Sequence, residues 1–175
     1  LFPPCATPAD FVLVIDQSSS MKRNQINSSE SAMDGVKALA TKLVNLFYTG
    51  SNGLATRFSV VSFNETARVR VTWSTEEGNI DAAIDAILPD GNTSISAGLN
   101  LAGELLEHAR DNATKVVLLL SDGTQDALLG GSAAAIEAAD LLKDDGAKVF
   151  AWGFGSTAER GTLIDIAGDE SRVQY

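Results

Sequence analysis

Four short, mainly apolar runs recur along this chain, at residues 11–15, 56–63, 115–120 and 147–154, quoted as "FVLVI", "TRFSVVSF", "KVVLLL" and "AKVFAWGF". Between them lie stretches whose apolar residues fall three and four apart. In residues 29–48 these are Met33, Val36, Leu39, Ala40, Leu43, Val44 and Phe47, one face of a helix. Strands that are apolar throughout are buried on both faces, and strands alternating with helices place those helices over both faces of a parallel sheet. The expected fold is therefore α/β: an open, doubly wound, mostly parallel, Rossmann-like sheet. One segment breaks the pattern. In "RVRVTW" Val69, Val71 and Trp73 alternate with Arg68, Arg70 and Thr72, which predicts a half-exposed antiparallel edge strand hairpinned to the run before it.

The remaining helices are expected at 74–87, capped by Ser74 or Thr75, at 94–110, at 132–144, and as a short helix in "AERGTLIDIAG". "SRVQY" reads as the start of a last strand. No internal repeat or linker interrupts residues 10–175, which read as one domain behind a tail, 1–9. No apolar run approaches the roughly 18 residues needed to cross a bilayer, so membrane insertion is not expected. The opening "LFPPCATP" reads as the beginning of a mature or trimmed segment. A formal charge of −10 argues against nucleic acid, which needs a basic face. The single cysteine, Cys5, excludes an internal disulfide and a thiolate metal cluster. N-x-Ser/Thr occurs at Asn27, Asn64, Asn92 and Asn112, more often than composition alone produces, which points to a secreted or cell-surface protein.

In open α/β sheets ligands bind beyond the carboxyl ends of the strands, where strand order reverses. The first run ends on Asp16, followed by Ser18 and Ser20; "KVVLLL" ends on Ser121 and Asp122; and Asp90, Gly91, Asn92 and Thr93 join two helices. Two aspartates at adjacent strand ends would repel each other in a semi-buried cleft, and a divalent cation resolves the conflict. Hydroxyl and carboxylate oxygens are hard donors suited to Mg²⁺, with Mn²⁺ and Ca²⁺ as alternatives. The alternate spacing of Asp16, Ser18 and Ser20 lets one loop turn three oxygens toward one point.

The stretch "DFVLVIDQSSSM" resembles the opening D-x-S-x-S motif of von Willebrand factor type A domains, the group that includes the inserted domains of integrins. "DGNTSISAGL" (90–99) is similar to the family's second motif, and "VVLLLSDGTQD" to its third. The resemblance covers nearly the whole chain, through "AKVFAWGFG" and "LIDIAG". It implies a metal-ion-dependent adhesion site in which Ser18, Ser20 and Thr93 are ligands and Asp16 and Asp122 neutralise and orient the ion. It further implies a non-catalytic module whose ion accepts a Glu or Asp from a partner, such as a matrix, collagen-like or cell-surface protein. The metal-proximal loops around Gln17, Asn92 and Gln125 would then face that partner. Asn27, Asn64 and Asn112 remain glycosylation candidates, whereas a glycan on Asn92 would crowd Thr93 and is not expected.

The chain departs from better-known members in three places. Met21, Lys22 and Arg23 stand where the integrin β-type variant carries acids for an adjacent second metal, so no such site is expected. "KRNQINSSES" is longer than the lean pattern and would form a polar rim. No sequence reads as the family's C-terminal helix; either the sequence stops short of it or the affinity switch is absent, and no switch is claimed. Ser19 should point away from the ion, and Asp126 reads as a solvated loop acid rather than a support for the site. His108 reads as exposed, and Trp73 and Trp152 as core or edge packing.

Two rivals fit less well. A Mg²⁺-dependent phosphohydrolase would resemble D-x-D, but the second position here is Ser18, and no G-x-S-x-G elbow points to serine hydrolysis. "GFGSTA" (153–158) has a nucleotide-loop form but lies on a late strand with no acid about twenty residues on. Within the family, an intracellular scaffold in a Mg²⁺-dependent assembly is the alternative.

Overall fold

The structure, a computed structural model, describes residues 8–23, 25–27, 30–47, 56–122, 125–155 and 158–174, with backbone alone for 25–27. Cys5 and the side chain of Asn27 lie outside the described residues. In chain order the elements are β1 (Ala9–Asp16), α1 (Ser20–Arg23), β2 (Gln25–Asn27), β3 (Glu30–Ser31), α2 (Ala32–Phe47), β4 (Arg57–Phe63), β5 (Ala67–Ser74) and α3 (Glu77–Asp85). They continue with α4 (Ile95–Leu106), β6 (Thr114–Ser121), α5 (Gly131–Asp144), β7 (Lys148–Gly153), α6 (Arg160–Ala167) and β8 (Val173–Gln174).

Six strands form one sheet in the order β5-β4-β1-β6-β7-β8, with every pairing parallel except that of β4 with β5. The order reverses at β1: the chain first adds strands on one side of it, then on the other. This places the ends of β1 and β6 at the switch point, with Ile15 paired to Leu120 and the next residues, Asp16 and Ser121, emerging together. Alternate residues of the central strands feed two cores. Val12, Val14, Val117 and Leu119 face α4, α5 and α6, while Leu13, Ile15, Leu118 and Leu120 face α2 and α3. Beside α2 the second face opens into a cavity of about 410 Å³ bordered by Phe11, Leu43, Phe47, Phe150 and Trp152.

Local chemistry sets the helix starts. Ser31 and Asp34 cap α2 reciprocally: Asp34 N–H donates to Ser31 Oγ at 3.2 Å and Ser31 Oγ–H to Asp34 Oδ2 at 2.7 Å. The helix therefore begins at Ala32, behind the antiparallel β2–β3 ribbon that occupies the expected polar rim. The expected cap on α3 is corrected. Ser74 Oγ accepts the Glu76 N–H at 3.0 Å and turns the chain, but the residue at the cap position is Glu76, without a side-chain cap bond. Helix α4 starts behind Ser94, whose hydroxyl accepts the Ala97 N–H, and ends at Leu106 rather than 110. Arg110 is drawn instead onto Asp10.

The edge strand also departs from clean alternation. Its register slips twice against β4: Val61 faces Val69 while Val60 faces Val71, leaving Arg70 as the extra residue, and a second shift follows between Val60 and Phe58. Bulges of this kind re-aim side chains. Val69 is turned out to solvent. Trp73 adopts a left-handed φ of 41°, donates its N–H to Ser59 Oγ at 2.9 Å, and lies beneath the Arg57 guanidinium.

Candidate metal centre

Three loops meet beyond the carboxyl ends of β1 and β6, and backbone hydrogen bonds bind them to one another. Gln17 N–H donates to Phe63 O at 2.8 Å and Gln17 O accepts the Asp90 N–H at 2.6 Å. Ser19 N–H donates to Gly91 O at 2.9 Å, and Asp126 N–H to Thr93 O at 3.0 Å. The first loop is thus fastened to the second, and the second to the third, through main-chain atoms. Gly91 sits at φ 77°, a left-handed conformation, and a Cβ there would strike the Glu65 carboxylate, so glycine is required. Further along, a Cβ on Gly98 would come within 2.6 Å of Phe63 and 2.8 Å of Val14. That close approach seats the start of α4, and Thr93 before it, against the sheet.

Asp16 is fully buried at the end of β1. Its Oδ1 accepts the Ser18 N–H at 2.8 Å and its Oδ2 accepts the Ser121 hydroxyl at 2.6 Å, which fix the plane of the carboxylate. Burial, and then the charge of Asp122, push the Asp16 carboxyl up to about 7, against those hydrogen bonds. Asp122 is 2 % exposed, Ser18 1 % and Thr93 8 %. Ser18 Oγ and Ser20 Oγ lie 2.9 Å apart. Among the described residues no ion pair involves Asp16, and no three acid, histidine or cysteine side chains gather anywhere.

The donor set fits a hard divalent cation. It holds two buried carboxylates, the charge of Asp122 making Asp16 costlier to ionise, beside hydroxyl oxygens spaced closely enough to face one centre. A carboxylate-rich cage would take more acids than the two present here.

Some residues hold the loops rather than face outward. Gln17 and Gln125 were expected on partner-facing loops, yet their side chains are 7 % and 6 % exposed. Gln17 Oε1 accepts from Arg70 Nη2 at 2.8 Å, while Arg70 Nε donates to Ser62 Oγ at 2.6 Å. Gln125 Oε1 accepts the Ser96 N–H at 2.9 Å, and its Nε2 donates to Leu129 O at 2.8 Å. Both glutamines are internal struts; of the three named residues only Asn92 is exposed. Asp126 caps the 3-10 turn at Ala127–Leu129, its Oδ1 accepting the Leu128 N–H at 2.9 Å, so it is not a free loop acid. Ser121 and Arg70 were not legible as site residues. Ser121 carried a faint signal, as the residue beside Asp122 on the strand next to β1, but Arg70 carried none, because its direction depends on the bulge.

The model of the von Willebrand factor type A domain matches residues 10–175, so the chain belongs to that family. The protein named "Sushi, von Willebrand factor type A, EGF and pentraxin domain-containing protein 1", from Rattus norvegicus and Mus musculus, is 25% identical over 151 residues, 82% of this chain. The chain spans only 4% of the length of those relatives. Among solved structures, proximal thread matrix protein 1 of the mussel byssus, in a form with a zinc-occupied MIDAS motif, superposes with a TM-score of 0.79 at 29% identity over 97% of this chain and 41% of that one. The vWF domain of the type V pili tip protein Mfa5 from Porphyromonas gingivalis shares the fold, with a TM-score of 0.82 at 16% identity over 97% of this chain and 90% of that one.

Proposed function

We propose that this domain, residues 10–175, binds other proteins through a divalent cation, Mg²⁺ in the first instance, without catalysing a reaction. Ser18, Ser20 and Thr93 would hold the ion, and Asp16 and Asp122 would neutralise and orient it. A cation ringed mainly by neutral oxygens supplies an electrophilic coordination position that a partner's Glu or Asp can fill. The chain's own residues do the rest. Ser121 and the Ser18 amide keep Asp16 in one orientation, and the bonds from Gln17 to Asp90 and from Asp126 to Thr93 hold the loops at fixed spacing, so little ordering is left to the moment of binding.

The single observation that carries this reading is the burial of Asp16 and Asp122 together beside paired serine hydroxyls, at the sheet's switch point. The likeness to the mussel thread protein with its zinc-occupied motif supports a divalent ion and an extracellular setting. Asn112, an exposed sequon at the start of β6 and so at the opposite end of the sheet, could carry a glycan without touching the loops. The only histidine, His108, is exposed past the end of α4, a helix of 12 residues that runs about 18 Å away from Thr93, so no imidazole base serves these loops.

The test is a binding screen against matrix and cell-surface proteins in Mg²⁺ and in EDTA, with Asp122→Ala alongside. Partners should be retained only in Mg²⁺ and only by the unmodified protein. Binding that survives both chelation and the substitution removes the ion from the interaction.

A further inference from the structure

The two most exposed large apolar side chains among the described residues are Leu128, 93 % exposed, and Leu88, 72 % exposed. Exposed leucines scattered singly over a surface need no explanation. These two are not scattered. Leu88 precedes by two residues Asp90, whose N–H is bonded to Gln17 O at 2.6 Å; Leu128 follows by two residues Asp126, whose N–H is bonded to Thr93 O at 3.0 Å. With consecutive Cα atoms 3.8 Å apart, each leucine's Cα lies within on the order of 10 Å of a loop that carries a candidate ligand. Leu88 leads out of α3 on one face of the sheet, and Leu128 leads into α5 on the other, so they bracket the site.

Both are held on ordered backbone. Leu128 donates its N–H to Asp126 Oδ1 at 2.9 Å, and the next residue's carbonyl is bonded to Gln125 Nε2 at 2.8 Å. Leu88 stands between the buried Ile87 and Pro89, whose ring fixes its own φ. A side chain presented from fixed backbone loses less entropy when it is covered, which suits a contact rather than a mobile tip. The charges exposed beside the same loops narrow the partner further. Glu65 and Asp90 are exposed on the rim, and Glu65 Oε1 accepts the Asn92 N–H at 2.7 Å. In a chain of net charge −10, an acid-rich partner would be repelled.

Resting on the metal-bridged reading above, we infer that the partner segment carries one Glu or Asp flanked on both sides by aliphatic or aromatic residues. The carboxylate would enter between the loops while Leu88 and Leu128 cover its apolar neighbours.

A displayed library of looped peptides with a fixed central Glu and randomised flanks, selected on the full chain in Mg²⁺ and eluted with EDTA, tests this. Apolar residues should be enriched on both flanks. The selected peptides should bind at least about tenfold more weakly to the Leu88→Ser, Leu128→Ser double variant. That variant should keep the unmodified protein's Mg²⁺ affinity by calorimetry and its melting temperature; Leu128→Lys alone serves if the double variant does not fold. Basic or random flanks, or equal binding by the variants, overturn the inference and leave the metal bridge standing. If no peptide is held in Mg²⁺ and released by EDTA, the metal-bridged reading itself fails and takes this inference with it.

Discussion

Strand β1 carries an aspartate near each end, both fully buried, and the molecule treats them in opposite ways. At the start of the strand, Asp10 is ion-paired to Arg57 at 2.5 Å and Arg110 at 2.6 Å, and also accepts the Arg110 N–H at 2.8 Å. Burial pushes its carboxyl up, but the two arginines outweigh burial and hold it below the usual carboxylate range. At the end of the strand, Asp16 has hydroxyl and amide donors and a second acid for company, and its carboxyl rises to about 7. Among the described residues the fold pairs Asp10 with two arginines and gives Asp16 no ion pair. A buried acid with its own arginines is a fastening; a buried acid next to another acid is, in the function proposed above, half of a binding site.

The contrast is broken most directly at Asp10. Asp10→Asn leaves two arginines facing a neutral amide, and loss of one partner of a buried ion pair typically costs about 3–5 kcal/mol. Chemical denaturation should show that loss, with metal affinity by calorimetry unchanged. In EDTA, Asp16→Asn should leave stability within about 1 kcal/mol of the parent, because it removes like-charge repulsion along with the carboxylate. A large loss at Asp16 and a small one at Asp10 would invert the comparison.

Next in size is the ion itself. At one hundred times its dissociation constant, Mg²⁺ should stabilise the parent protein by about 2.7 kcal/mol, and EDTA should reverse the gain. Asp16→Asn should show no such gain in thermal melts.

The two aspartates also predict pH dependences of opposite sign. Asp10 has a lowered folded pKa, so its contribution is complete above the unfolded value near 3.9 and is lost as pH falls through the folded one. Asp16 without metal has a raised folded pKa, so between roughly pH 4 and 7 the folded state keeps a proton that the unfolded chain has released. Metal-free stability should therefore decline as pH rises across that window, giving a melting temperature in EDTA a few degrees higher at pH 5 than at pH 8. Asp16→Asn should abolish that difference. A parent protein that is more stable in EDTA at pH 8 than at pH 5 contradicts the assignment.

The smallest expected effect comes from Arg70. Arg70→Leu frees Gln17 from its strut, and losses of such outer supports cost about 10–100-fold in metal affinity. We expect the lower end, about tenfold, because main-chain bonds still hold Gln17 on both sides. Lysine at the same position cannot make both bonds with the fixed geometry of the guanidinium and should not restore the affinity. Unchanged Mg²⁺ affinity in Arg70→Leu would show that the strut is dispensable.

Much of this was legible beforehand for physical reasons that can be named. Buried parallel strands must be apolar on both faces, so β1, β4, β6 and β7 announce themselves as runs, and strand-end polar residues stand out against them. Asp16, Ser18 and Asp122 stand out in the sequence because they interrupt or directly follow apolar strands, and Thr93 because its polar loop joins two amphipathic helices. Arg70 could not be found that way. An alternating edge strand predicts its side chain outward, and only the extra residue opposite Val60 and Val61 turns it toward Gln17. The directions of the Gln17 and Gln125 side chains are hidden from the sequence for a related reason: a long amide in a polar loop looks solvent-facing until the groups that satisfy it come into view.

Sequence by itself determined the layered α/β architecture, the order of the three loops and the oxygen chemistry they carry, since periodicity and donor type are local properties of the chain. Tertiary structure alone decided that Asp10 meets Arg110, 100 residues away, while Asp16 meets Ser121 and Asp122, 105 and 106 positions on. Charge state depends on what lies a few ångströms off in space, and for a buried aspartate that neighbour comes from pairing strands and closing loops.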